Sequence, residues 1–278
     1  MRFTTFLLAG PALAAATPAL AQDTAPPPPV TVTGSATILT DYRLRGVSQT
    51  DKDAAVQGSL TVAHESGFYI GTFASNLSGW GTFGGANIEL DAIGGYKHTF
   101  GTTTVDGGVT WYTYPGGASN SDVVEVFGRL SGALGPGTLT AGAYYAPKQD
   151  STSRYYRTAA DYGAGIQTGR KRYDNLYLTG DAVVGVPNTR FTGRAHVGWS
   201  KGNNGLGPNG TSLAPTGEYW DWNAGVDWNV YKMLTLSASY VDTDIGKRES
   251  AYLAPNFRDR KGASISDPTV VFSLSAAF

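Results

Sequence analysis

A chain of 278 residues with 21 Lys+Arg against 22 Asp+Glu carries a formal net charge of −1 at pH 7, and only 15% of its residues are charged. That balance, with no basic run, excludes nucleic-acid binding as the main role, and zero cysteines exclude a disulfide framework or thiolate-ligated metal. A hydrophobic content of 41% suits a soluble sandwich and a membrane barrel equally, so the spacing of the apolar residues has to decide.

Met1-Arg2, the apolar run from Phe3 to Ala16 and Ala19-Leu20-Ala21 ahead of Gln22 read as a secretory signal peptide over 1–21, cleaved after Ala21. Pro11 and Pro18 interrupt the run, which falls short of the ~20 residues a helix needs to span a bilayer. Residues 22–32 include four consecutive prolines, Pro26 to Pro29, and read as an extended spacer on the periplasmic side. From residue 33 onward, segments of alternating polarity recur, and twelve strands are expected at 33–47, 54–64, 68–78, 87–99, 103–114, 122–132, 138–147, 174–186, 189–201, 219–230, 233–243 and 268–278. In the last of them Val270, Phe272, Leu274, Ala276 and Phe278 share one face, as in the closing strand of an outer-membrane barrel. In the third, Phe68, Ile70 and Phe73 do not share a face.

Twelve is an even number, and the connections segregate by parity. His64 to Gly67, Phe100 to Thr102, Gly132 to Gly137, Pro187-Asn188 and Val230 to Lys232 are short; the opposite end carries Ser48 to Asp53, Gly79 to Ala86, Pro115 to Ser121 and the long stretches Pro147 to Tyr173, Lys201 to Glu218 and Asp244 to Asp267. Short periplasmic turns and long outer loops are the asymmetry of an all-β, transmembrane, antiparallel up-and-down β-barrel, expected here over 33–278. On the lipid parity, Trp111, Tyr145, Trp199, Trp222 and Tyr240 fall near outer strand ends, and Tyr96, Phe191, Trp228 and Phe278 near inner ends. Amphipathic aromatics gather at the two membrane interfaces in this way. Between them lie Ile88, Leu90, Val105, Val109, Val124, Leu130, Leu178, Val184, Val226, Leu236 and Leu274.

Asp41-Tyr42-Arg43-Leu44-Arg45-Gly46-Val47-Ser48-Gln49-Thr50, then Ser66-Gly67-Phe68-Tyr69-Ile70-Gly71, Ser75-Asn76, Glu89-Leu90-Asp91 and Tyr114-Pro115-Gly116, resemble the TorF porin family of proteobacteria. The match is dense from Ser35 to Arg129 and thins beyond it, where the long loops depart from the pattern. The resemblance implies an outer-membrane barrel in a Gram-negative envelope, with channel activity.

Facing inward are Asp41, Arg43 and Arg45 on the first strand, Glu89, Asp91 and Lys97 on the fourth, Asp106 on the fifth, and Glu125 and Arg129 on the sixth. Asp181, Arg194, His196, Asp221 and Asp227 continue the set on the eighth, ninth and tenth strands. Charge inside a barrel requires water or pairing. Either these groups line a wet passage for small hydrophilic solutes or ions, or they form a salt-bridge network that fills the lumen. Arg43 and Arg45, two apart on one stripe with Asp41, suit an anion-attracting constriction or pairing with Glu89, Asp91 or Glu125. Eight acidic against five basic residues in the set give a mild cation preference.

The alternative function is a plugged barrel with a structural or adhesive role. Its long loops carry Lys148, Arg154, Arg157, Arg170, Lys171 and Arg172, and later Lys247, Arg248, Arg258, Arg260 and Lys261, which suit lipopolysaccharide phosphates or remain solvated. A lipid-modifying enzyme is disfavoured: its Ser would need a His high on the lipid face, and His64, His98 and His196 fall in a turn, near an inner end and in the lumen. No cofactor is implied. Expected partners are outer-membrane lipid, small solutes and the assembly machinery that receives the C-terminal strand.

Overall fold

The computed structural model describes residues 28–278; the expected signal peptide and the start of the expected spacer lie outside them. Twelve strands close one antiparallel barrel: β1 (Val30–Leu39), β4 (Ala55–His64), β5 (Phe68–Asn76), β6 (Ile88–Phe100), β7 (Thr103–Thr113), β8 (Val123–Leu134), β9 (Gly137–Ala146), β10 (Asn175–Gly185), β11 (Phe191–Lys201), β12 (Glu218–Tyr231), β13 (Leu234–Thr243) and β14 (Thr269–Ala277). A separate small hairpin, β2 (Arg43–Leu44) with β3 (Val47–Ser48), lies between β1 and β4 in the chain. Among the described residues no helix is long and apolar enough to cross a membrane; the crossing elements are strands.

The alternation that places these strands is visible in their burial. β8 runs buried and exposed at every other residue from Val123 to Leu130, and β6 does the same from Ile88 to Ile93. All eleven residues of the expected apolar band, from Ile88 to Leu274, are exposed on the outside. An apolar surface of that extent belongs in lipid. In β5 the mixed pattern resolves by parity: Phe68 and Ile70 face out, and Phe73 is buried inside. The seam closes where β14 pairs with β1, from Ser35↔Ala277 to Leu39↔Ser273. One step beyond, Phe278 N–H donates to Gly34 O at 3.0 Å and Gly34 N–H to Phe278 O at 2.8 Å. A Cβ on Gly34 would stand 2.7 Å from the Phe278 ring, so the terminal aromatic lies where only glycine leaves room.

Inner connections are short: 65–67, 101–102, 135–136, 186–190 and 232–233. The outer ones fold onto one another. Val47, Trp80, Leu206, Tyr219, Leu253, Phe257 and Ile265, drawn from four different connections and one strand, share a buried core over the outer mouth.

One strand boundary requires a correction. The first strand ends at Leu39, not at residue 47, and it begins at Val30, inside the expected spacer. After Leu39 the chain turns inward: Gln49 N–H donates to Tyr42 O at 2.7 Å, Tyr42 N–H to Thr50 Oγ1 at 3.0 Å, and Arg45 and Gly46 take left-handed conformations with φ of 50° and 79°. Leu39 and Ala55 stand directly opposite each other in register, so residues 40–54 are far more chain than a hairpin connection needs. The surplus forms a strap inside the barrel.

Candidate lumen site

The strap carries Asp41, Arg43 and Arg45, which therefore do not form a stripe on the wall. Asp41 accepts from Arg43 Nε at 2.7 Å and from Ser48 Oγ at 2.6 Å, holding the small hairpin together. Arg43 Nη1 donates to Gly46 O at 2.9 Å and to Asp267 O at 3.0 Å, tying the strap to the last outer connection. Arg45 reaches across the lumen. Its Nη2 donates to Glu125 Oε1 on β8 at 2.5 Å, its Nη1 to Asn175 Oδ1 on β10 at 2.6 Å, and its guanidinium lies 4.2 Å from the Tyr177 ring centre. In a ring of twelve, β9 sits six places from β1, so β8 and β10 flank the point opposite the strap's origin. A Cβ on Gly46 would stand 2.3 Å from Thr243 Cγ2, which makes the left-handed glycine of this turn a packing requirement as well as a conformational one.

Most of the remaining inward charges form local pairs. Arg129 Nη2 meets Asp106 Oδ2 at 2.5 Å, the Tyr69 hydroxyl donates to the same carboxylate at 2.8 Å, and Arg194 Nε meets Asp227 Oδ2 at 2.7 Å. His196 stands between two carboxylates, Nδ1 at 2.6 Å from Asp181 and Nε2 at 3.2 Å from Asp221, with the Tyr177 hydroxyl 2.9 Å from Nε2 and donating to Asp221 at 3.0 Å. Glu89 and Asp91 stay side by side on β6, both buried, and it is the Tyr42 hydroxyl that donates to Glu89, at 3.2 Å. Arg45 thus selects Glu125 from the three carboxylates open to it.

Beneath the strap lies a cavity with about 170 Å³ of space open to the centres of water molecules. The strap from Asp41 to Gly46 roofs it; inward residues of β9 to β12, including Tyr144, Tyr177, Arg194 and Asp227, form one side, and Thr235, Ser237, Ser239, Ser273 and Ser275 of β13 and β14 the other. Four Asp (41, 181, 221 and 227) and four Arg (43, 45, 129 and 194) line it together with His196. The acidic excess counted over the whole inward set is absent from this lining, because Glu89, Asp91, Asp106 and Glu125 do not border the cavity.

Of the expected interface aromatics, Tyr96, Trp111, Tyr145, Phe191, Trp222, Trp228, Tyr240 and Phe278 are exposed on the outer surface, and Trp199 is half-buried there, donating from Nε1 to Glu218 at 3.2 Å. Sequence reasoning overlooked a second aromatic set. Tyr69, Phe127, Tyr144 and Tyr177 pack together inside the barrel, and Tyr112 joins another interior cluster with Tyr42, Phe73 and Tyr114. The signal was available in two dipeptides: Trp111-Tyr112 and Tyr144-Tyr145 place neighbouring rings on opposite faces of a strand, so one of each pair must point inward. Among the described residues no group of three or more His, Cys, Asp or Glu is arranged to hold a metal ion.

Comparison with solved structures gives the KdgM porin at a TM-score of 0.51 and 7% identity, covering 88% of this chain and 98% of that one. The KdgM porin in complex with disordered oligogalacturonate scores 0.49 at 7% identity, covering 89% and 97%, and the COG4313 outer membrane channel from Pseudomonas putida F1 scores 0.43 at 13%, covering 91% and 97%. The first likeness shows a porin-type fold; the other two, at lower scores, carry no argument. No curated protein matches the sequence. The family model described as "Bacterial protein of unknown function (Gcw_chp)" matches residues 23–278, and the chain belongs to that family.

Proposed function

We propose that this protein is an outer-membrane channel for passive diffusion of small hydrophilic solutes, exported through a cleaved signal peptide, with the strap 40–54 as its constriction. The observation that carries this reading is the cavity: a closed barrel with an apolar exterior keeps a space lined by charged and hydroxyl-bearing side chains under an inward strap. Serine and threonine on its wall have no structural need of a lumen, since alanine or valine would pack one more simply. The resemblance of residues 41–50 to the TorF porins agrees with this. Within the channel, the inward residues divide between cavity lining and struts, with Glu89, Asp91, Asp106 and Glu125 among the struts.

The partners of His196 support a non-enzymatic role: both ring nitrogens meet carboxylates and its hydroxyl partner is a tyrosine, an arrangement unlike a serine–histidine pair. The outer loops turn much of their positive charge onto their own acids: Arg172 meets Asp150 at 2.9 Å, Arg170 contacts the same carboxylate, and Arg260 meets Asp51 at 3.0 Å. The packed cap over the mouth supports a second reading, the plugged barrel. Planar-bilayer recording of the refolded mature chain separates them: discrete conductance steps are expected, and silence from demonstrably folded barrels would favour the plug.

A further inference from the structure

The cavity beneath the strap has a chemistry of its own. On β13, β14 and β1, Thr235, Ser275 and Thr37 form one cross-strand row of hydroxyls, and Ser237 and Ser273 form the next, two residues along. Two residues of strand separate the rows by about 6.8 Å. Across the lumen stand the rings of Tyr144 and Tyr177, with Thr179 beside them. Several lining residues keep a buried polar atom with no protein partner: Arg43 Nη2, Gln57 Oε1, Arg129 Nη1, Thr179 Oγ1 and Thr235 Oγ1. Arg43, Gln57, Arg129 and Thr235 are each at least nine-tenths buried. The hydroxyl rows that line the cavity both donate and accept, so the complement they call for is a group that does the same, an alcohol or water.

The charges point the same way. Each arginine of the lining already holds a carboxylate, Arg43 with Asp41, Arg45 with Glu125, Arg129 with Asp106 and Arg194 with Asp227, while His196 takes Asp181 and Asp221. An anion would have to displace a carboxylate, and a cation would have to displace a guanidinium, each at the cost of stranding a buried ion. A neutral solute displaces neither.

We propose that this cavity is a binding site for a neutral polyhydroxylated solute of the sugar class, its hydroxyls on the Thr235–Ser275–Thr37 wall and its C–H face toward Tyr144. The site rests on the channel reading only for how the solute arrives. Calorimetric titration of the detergent-solubilised full mature barrel with maltose, galacturonate and a polyethylene glycol of similar size tests it. Saturable binding of maltose is expected, at least fivefold weaker after Thr235→Val with Ser237→Ala and Ser273→Ala, provided the variant keeps its heat-modifiable mobility; Thr179→Val serves as an independent second variant. No binding of maltose to folded wild-type barrel, or galacturonate bound as tightly, would overturn the proposal. Osmotic swelling of protein-loaded liposomes in maltose reads the channel separately. Swelling without calorimetric binding sinks the site alone, and binding without swelling sinks the channel and keeps the site.

Discussion

Along the wall, every second residue faces lipid and, apart from the β1–β14 seam, every strand pairs with its neighbours in the chain; across the outer mouth, Val47, Leu206 and Ile265, far apart in sequence, share one core. The wall is built from local pattern, the mouth from long-range contacts. The strap belongs to the second kind, although its sequence looks like the first. Its anchor, Arg45 on Glu125, joins residues 80 apart, and no periodicity in the chain encodes it. The difference teaches that the wall follows from local alternation, whereas the strap's position follows from contacts that no local pattern encodes.

The wall is broken most severely at its seam. Deleting Phe278 removes both bonds to Gly34 and the terminal aromatic, and Gly34→Val drives a side chain into that ring. Either change is expected to reduce heat-modifiable barrel in outer-membrane fractions severalfold, with export intact. Normal barrel levels in both variants would show that the seam does not need this contact.

In the mouth, the largest effect falls on the anchor. Arg45→Ala leaves Glu125 buried without its cation, a loss of about 3–5 kcal/mol, read as a lower urea midpoint of refolded protein. Adding Glu125→Gln should return most of it, because the stranded charge is then gone. Failure of that second change to rescue would mean that Arg45 acts through Asn175 or Tyr177 instead.

The sequence shows the wall well because period-two alternation is a local property. Even β5 obeys it once Phe73 is given to the lumen. The strap was hidden for the same reason: Asp41-Tyr42-Arg43-Leu44-Arg45 continues the alternation of β1, and only the left-handed turn at Arg45-Gly46 reverses it. The inner tyrosines are uncharged, so nothing in a count of inward charge marks them, although their parity on β7, β9 and β10 places them inside. Ion pairs divide along the same line. Asp106 with Arg129 and Asp181 with His196 are register neighbours on adjacent strands, which follow from the strand pattern, whereas Arg45 with Glu125 depends on how the strap folds.

Accessibility in intact cells distinguishes the two ends without unfolding anything. Cysteines replacing Gln167, Asn204 or Lys247, all exposed in outer connections, should react with an impermeant thiol reagent, and those replacing Ser66 or Asn188 should not. Ser151 and Ser264 sit in outer connections too but are buried, so cysteines there should react slowly despite their side. Equal labelling at position 188 in cells with an intact outer membrane would reverse the orientation.

The smallest effect is electrostatic and lies at the surface. Arg170 and Arg172 hold the half-buried Asp150 carboxyl below its ordinary value. A depressed carboxyl contributes above the ordinary aspartate value near 3.8 and loses its contribution as pH falls through the lower folded value. Asp150→Asn should therefore cost at most about 1 kcal/mol at pH 7, with the difference from wild type vanishing in acid. A loss that persists at pH 2 would assign Asp150 a role beyond charge.

Single-channel conductance with and without the strap tests the central claim most directly. Leu39 and Ala55 are paired in register, so deleting residues 42–50 leaves enough chain to close the β1–β4 hairpin. Folded barrels lacking those residues are predicted to conduct severalfold more than wild type under the same salt gradient. Equal conductance from the two folded proteins would contradict the account and place the narrowest point of the passage away from the strap.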